Sequence, residues 1–212
     1  MEMLNWADYV KFVVALVVIV NPISALPLFV SMTASNSQAE KMQIARVAAI
    51  SVAVVLSLAA LLGQHILVLF GITIASFKVG GAILIMLMAI SMMHAVPTRQ
   101  KQTPEEAIEA QNKDNIAVVP LAIPLLAGPG AISTTIVSAT ERFSIGHLAL
   151  IVFCCLLVAG GAWLMLRLAT PVSRWLGETG VNIATRLMGL LLAAVAVEIF
   201  TSGLLVLLPG LG

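Results

Sequence analysis

Charge is scarce in this sequence. Asp, Glu, Lys and Arg make up 10% of it, and 11 bases against 10 acids leave a net charge of +1, which excludes the basic footprint of a nucleic-acid binder. Aromatic residues reach only 5%, too few to wall a cavity for large drugs. The two cysteines, Cys154 and Cys155, are adjacent. Neighbours on a helix point about 100° apart, so the pair is not expected to form a disulfide, and it lacks the Cys-x-x-Cys spacing of a redox site. His65, His94 and His147 fall in different segments, so no helix carries a metal-ligand pair. Gly128-Pro129-Gly130 has neither the Lys nor the spacing of a phosphate loop. The expectation is a protein without metal, cofactor or catalysis.

What the sequence has is apolar length. Hydrophobic residues make up 60% and mean hydropathy is +1.08, far above a soluble domain. The 212 residues hold roughly six helical spans of about 20 residues, with little left for a soluble domain. Glu2 and Asp8 precede the first base, Lys11, so the start lacks the basic region of a cleavable signal, and its apolar run is expected to stay as a span.

Helix breakers stand inside these apolar runs. Pro120 to Thr135 contains three prolines and two glycines, and Asn21-Pro22-Ile23-Ser24-Ala25-Leu26-Pro27 echoes it. An offset of 102 residues pairs Pro22 with Pro124, Pro27 with Pro129, Ser31 with Ser133 and Thr33 with Thr135. Matching breaks in two halves point to a transporter-like site made of discontinuous helices.

The chain then reads as one transmembrane domain over residues 1–212. Repeat one covers about 8–95. Its first span, Tyr9 to Met32, is broken at Asn21-Pro22. Ser37-Gln38-Ala39-Glu40 is a capping box opening the second span, which ends near Phe70, and the third runs from Ala75 to Met93. A polar loop at about 97–115, with a helix start at Thr103-Pro104-Glu105-Glu106, leads to repeat two at about 116–208. Its spans cover Ile116 to Ala139, His147 to Leu168 and Ala184 to Leu208. Leu176-Gly177 matches Phe70-Gly71, and Arg186-Leu187-Met188-Gly189 matches Lys78-Val79-Gly80-Gly81. The expected fold class is all-α: six transmembrane helices as two inverted three-helix repeats, with helices 1 and 4 broken at proline.

Eight bases, Lys41, Arg46, Arg99, Lys101, Lys113, Arg167, Arg174 and Arg186, fall on one side of this arrangement, and only Lys11, Lys78 and Arg142 on the other. The first side is therefore expected to be cytoplasmic and both termini external. Three spans per repeat invert the second against the first, so the two broken spans can meet near mid-membrane.

Broken helices leave backbone groups that must face protein or water. Pro27 and Pro129 suit the first position of a new half-helix, with Gly128 freeing the backbone before the second. Two such N-termini, each carrying roughly half a positive charge, make a carboxylate-sized anion site. Asn21 can offer a carbonyl to an ammonium group, and Ser24, Ser31, Thr33, Ser133, Thr134 and Thr135 offer hydroxyls. The expected substrate-binding set is Asn21, Ser24, Ser31, Gly128, Gly130, Ser133 and Thr134, with helix breaks at Pro22, Pro27, Pro124 and Pro129. The small Gly and Ala walls suit a small zwitterion. The alternative is that the prolines only kink spans and that the hydroxyls bond their own helices.

Glu198 is the carboxylate well inside a predicted span. A charge at the membrane centre costs about 2.5–3.5 kcal/mol on insertion scales, so a cavity-facing position and a proton- or ion-coupling role are expected, against the alternative of a protonated Glu bonded to a neighbouring helix. Lys78 and Arg186 read as snorkelling bases. Gly80-Gly81, Gly160-Gly161, Gly189 and Ala193 read as close helix packing.

The sequence resembles the MarC family of six-span bacterial inner-membrane proteins. The likeness is carried by Asn21-Pro22 with Pro27, by Phe70-Gly71-Ile72, by Val118-Val119-Pro120-Leu121-Ala122-Ile123-Pro124 with Ala127-Gly128-Pro129-Gly130, and by Arg186-Leu187-Met188-Gly189-Leu190. It implies transport of small neutral amino acids such as glycine or alanine across the inner membrane, coupled to protons or sodium, and kinship with the lysine-exporter superfamily. Many relatives carry Arg where this chain has Lys78, which keeps the charge. Glu198 gains no support from the resemblance. Two rivals remain: an exporter or channel for ions or other small solutes, which would want more intramembrane carboxylates or histidines, and a thiol carrier, which would want cysteines at both breaks.

Overall fold

The structure is a computed structural model that describes residues 6–94, 126–142 and 144–211. The expected polar loop, the first part of the fourth span and the break at Pro124 lie outside these residues. The described residues are helical, with no strand among them: α1 (Trp6–Val20), α2 (Pro22–Met32), α3 (Gln38–Leu69), α4 (Ile74–Met93), α5 (Pro129–Thr140), α6 (Ile145–Arg167), α7 (Ala169–Leu207) and a closing 3-10 turn, Pro209–Leu211. Among the described residues, five stretches are long and apolar enough to cross a membrane: Trp6–Met32, α3, α4, α6 and Thr179–Leu207. The 12 residues of α5 extend only about 18 Å and do not cross one alone.

Local chemistry fixes several ends. Ser37 Oγ accepts from the Glu40 N–H at 3.3 Å and the Glu40 carboxylate accepts from the Ser37 N–H at 2.7 Å, the capping box expected at the start of α3. Gly71, at φ 66°, ends that helix, so that its own N–H reaches the Val68 carbonyl and the Ile72 N–H reaches Leu67. Only glycine takes this left-handed turn without strain. Thr73 Oγ1 then accepts from the Ser76 N–H at 3.1 Å and opens α4. Gly177, the sequence counterpart of Gly71, also has positive φ (61°, with ψ 178°), and this non-helical backbone divides α7 into two helices that meet at a kink. The expected connection at Ala169–Thr185 is therefore helical on both sides of that glycine.

Small residues set the helix contacts and their directions. A Cβ on Gly189 would lie 3.0 Å from the Ala89 carbonyl oxygen, and one on Gly203 would lie 3.0 Å from that of Ala75. So α4 and α7 run antiparallel with backbones in near contact, as membrane helices do when glycine lets dispersion act at short range. Gly81 backs onto Ser133, and Gly130 onto Ile85 and Met88, which makes α4 and α5 antiparallel too. Gly80, Gly160 and Gly161 meet nothing within 4 Å, so the packing role expected of them falls to Gly81 and Gly189.

The interior is one cluster with Leu16, Ile19, Leu26, Leu56, Ile85 and Leu192 fully buried. Outside it, α3 exposes Val54, Leu58, Leu61 and Leu62 at helical spacing, and α6 exposes Phe153, Leu156, Leu157 and Leu164. Apolar surface of that extent suits lipid, not water.

Candidate functional site

Asn21 is the one non-glycine residue with positive φ among those described, at φ 43° and ψ 65°. Two features of the sequence put it there. Proline disfavours the right-handed helical region for the residue before it, and asparagine tolerates the left-handed one better than most side chains. Pro22 then takes the first position of α2, where its missing N–H is no loss. Pro27 was expected there and is instead inside α2. Only Asn21, ahead of Pro22, can make the left-handed turn, so the half-helix starts five residues earlier than expected. In the second half, Pro129 opens α5 as expected. Gly128 before it has φ −69° and ψ 173°, ordinary pre-proline backbone, so it is not there for conformational freedom. Gly130 is the glycine required: a Cβ would sit 2.9 Å from Ile85 Cγ1 and 3.4 Å from Ile19 Cγ2.

The two breaks lie at one depth. Arg142 donates to the Asp8 carboxylate at 3.0 Å, joining the start of α1 to the end of α5, while Ile19 meets Gly130 at the other end of the pair. Thus α1 and α5 are antiparallel. Asn21 comes thirteen residues after Asp8, and Pro129 thirteen before Arg142, so each break is about 20 Å from the ion pair at 1.5 Å per residue. From that level α2 runs on away from the ion pair and α5 runs back toward it, so both helices begin at the same depth. In α5 the first bond runs from the Ile132 N–H to the Gly128 carbonyl at 3.1 Å, and the N–H groups of Gly130 and Ala131 precede it.

Polar side chains gather at this level. Asn21 is 6% exposed; its Nδ2 donates to Ser24 Oγ at 2.7 Å and lies 3.7 Å from Met92 Sδ. Ser24 Oγ is 3.2 Å from Thr185 Oγ1, which ties α2 to α7. Two buried atoms, Asn21 Oδ1 and Thr134 Oγ1, have no partner among the described residues. Each unmet acceptor or hydroxyl of this kind costs about 1–3 kcal/mol, so both mark places where a ligand group or water gains a bond. Beside Asn21 a crevice of about 250 Å³ runs between α1, α6 and α7, with Val17, Met165 and Met188 in its walls.

Not every expected residue is there. Ser133 Oγ donates to the Gly130 carbonyl, Thr135 Oγ1 to that of Ala131 and Thr33 Oγ1 to that of Phe29, so these three hydroxyls serve their own helices. Ser31 is exposed and lines a separate crevice. Glu198 is exposed on the outer face of α7, with no side-chain hydrogen bond among the described residues. This exposed position differs from the cavity-facing one expected, and it stands thirteen residues, or about 20 Å, from Thr185. Nothing local warns of this, because α7 is apolar on most sides. Conversely, Thr185 and Met92 were not singled out from the sequence. They reach Asn21 and Ser24 only through contacts 71 and 161 residues apart.

Above the breaks, His147 is buried at 7% exposure between Tyr9 Oη, 2.8 Å from Nδ1, and the Ser138 carbonyl, 2.8 Å from Nε2. A carbonyl only accepts, so Nε2 carries a proton, and in the neutral ring Nδ1 then accepts from Tyr9. The ring thereby pins α1, α5 and α6 together. His147→Phe is expected to cost about 1–3 kcal/mol by orphaning both partners; thermal unfolding in detergent against Tyr9→Phe, which removes only one of the bonds, checks it.

Comparison with known proteins settles the family. Residues 6–208 match the family described as MarC family integral membrane protein. The chain belongs to the MarC family. Among its relatives, the UPF0056 membrane protein YhcE of Escherichia coli (strain K12) is 41% identical over 96% of this chain and 94% of its own length. A UPF0056 membrane protein of Methanocaldococcus jannaschii is 38% identical over 96% and 89%, and YvbG of Bacillus subtilis (strain 168) is 35% identical over 92% and 93%. No solved structure matches. The likeness spans both helix breaks of this MarC chain, so the pair of half-helices lies within the part shared with the family, not in an appended segment.

Proposed function

We propose that this MarC-family protein is a secondary transporter of small neutral amino acids of the glycine and alanine class, coupled to protons or sodium, in a bacterial inner membrane. The observation that carries the reading is the equal depth at which α2 and α5 begin, with the buried Asn21 Oδ1, unpartnered among the described residues, at the first of them. A zwitterion matches that arrangement. Its carboxylate would take the N–H groups at the start of α5, where the helix dipole adds roughly half a positive charge. Its ammonium would donate to Asn21 Oδ1. Ile19 and Ile85 press on Gly130, which leaves room for a small side chain only. In this reading the chain is two inverted three-span repeats with both termini external. Glu198, outward and distant, has no part in the site.

Purified protein in liposomes is expected to accumulate labelled alanine or glycine under an imposed proton or sodium gradient. Flux equal to that of empty liposomes under both gradients would sink the reading. Replacing Cys154 and Cys155 with Ser is expected to leave flux unchanged, which separates it from a thiol carrier.

A further inference from the structure

On the face opposite the Asp8–Arg142 ion pair, a crevice of about 530 Å³ opens between α2 and α7. Its polar lining is Ser31 from α2 with Ser173, Arg174 and Asn182 from α7. Pro27, Val30 and Val181 make the rest of the wall apolar. Gly177 also lines it, at φ 61°, so any side chain added there would be strained.

Arg174 makes no ion pair with any described residue. A guanidinium in a crevice with no carboxylate among its described lining residues, beside an amide and two hydroxyls that can also donate, favours an oxyanion over a cation. The volume is larger than a glycine- or alanine-sized solute needs and falls within the range of ligand pockets. The mixture of polar floor and apolar wall matches the junction of a phospholipid, where the phosphate meets glycerol and acyl chain. The next residue, Trp175, is 86% exposed, and tryptophan collects at headgroup level. A second base on this face, Arg167, lies 5.4 Å over the Trp163 ring and is not part of the lining.

The geometry points to a phosphate site in this crevice, centred on Arg174 and assisted by Ser31, Ser173 and Asn182, that takes the headgroup phosphate of an anionic phospholipid. The chemistry it recognises is the phosphate oxyanion, which a lipid or a soluble phosphate could each bring. The inference is independent of the transported solute: it holds or falls whatever the protein moves.

The test is lipid binding to the purified full chain in neutral detergent, read as the rise in unfolding temperature on titration with phosphatidylglycerol, inorganic phosphate or diacylglycerol. Phosphatidylglycerol is expected to stabilise the wild type, diacylglycerol to do nothing, and Arg174→Gln to weaken the response about tenfold, the size of one lost charge-assisted contact. Arg174→Lys is expected to fall between, since a point charge replaces the planar fork. Inorganic phosphate giving the same Arg174-dependent response would assign the site to soluble phosphate and keep its chemistry. Asn182→Leu, which fills the crevice without touching the charge, is expected to weaken binding as well. Phosphatidylglycerol binding unchanged in both Arg174→Gln and Asn182→Leu would overturn the proposal. So would an equal loss in Arg167→Gln, which would reduce the effect to diffuse surface charge.

Discussion

Replacing Asn21 by Gly is expected to lower alanine flux in liposomes about tenfold or more while leaving the fold in place. The two roles of this residue can be separated because they belong to different atoms. Its backbone sits at φ 43°, which glycine adopts freely, so the turn between α1 and α2 survives the change. Its side chain supplies Oδ1, the buried oxygen without a partner, and glycine removes it. A hydrogen bond from a charged ammonium is worth about 1.5–3 kcal/mol, and that range begins at about tenfold in affinity. Losing the Nδ2 bond to Ser24 costs about 1 kcal/mol, offset in part by the easier backbone. Asn21→Leu adds a second penalty of about 1–2 kcal/mol for a left-handed leucine and is expected to lose stability as well as flux. If Asn21→Gly transports like the wild type, Oδ1 does not meet the substrate and the site lies elsewhere.

Gly189→Leu is expected to be among the most destabilising single changes in the chain. The Cβ it adds would lie 3.0 Å from the Ala89 carbonyl oxygen and 3.0 Å from Met92 Cβ. The first of these neighbours is helix backbone and cannot swing away, so α7 must move off α4. Overpacking of this kind costs about 1–3 kcal/mol, and here it sits between two helices whose backbones nearly touch. Met92 is also the residue beside Asn21 Nδ2, so the displacement reaches the break and flux should fall with stability. Gly160→Leu is the matched control. Nothing lies within 4 Å of a Cβ there, and its effect is expected to stay within about 0.5 kcal/mol, as for surface positions without special features. Equal unfolding temperatures for the two variants in the same detergent would mean that the α4–α7 contact is not close-packed in solution.

The parts of the site that the sequence made legible are those decided by neighbours along the chain. Asn21-Pro22 announces a break because a proline and the residue before it restrict each other. Pro129 opens α5 for the same local reason, and Ser37 with Glu40 caps α3. Pro27 was misread because two prolines five residues apart look equivalent in a list of breakers. What separates them is that asparagine, not leucine, stands ahead of the first. Ser133 and Thr135 carried the right chemistry at matching offsets, yet their hydroxyls bond carbonyls three and four residues back, an outlet open to any helical Ser or Thr. Glu198 shows the same limit from the other side. It is a carboxylate within an apolar run, but in a helix with apolar residues on most sides no periodicity tells the face turned inward from the face turned out.

By itself, the sequence determined that this chain is an integral membrane protein of helices, that it belongs with the MarC proteins, that its first span breaks at Asn21-Pro22, and that a helix opens at Pro129. Those outcomes depend on composition and on contacts a few residues long. Only the tertiary structure decided that the breaks share one depth, that Thr185 and Met92 complete the Asn21 cluster, that Ser31 belongs to a different crevice, and that Glu198 points away. Each of these depends on how helices far apart in the chain turn against one another. That rotation is set by where Gly81, Gly130, Gly189 and Gly203 let backbones approach, a property of pairs of helices and not of any one segment.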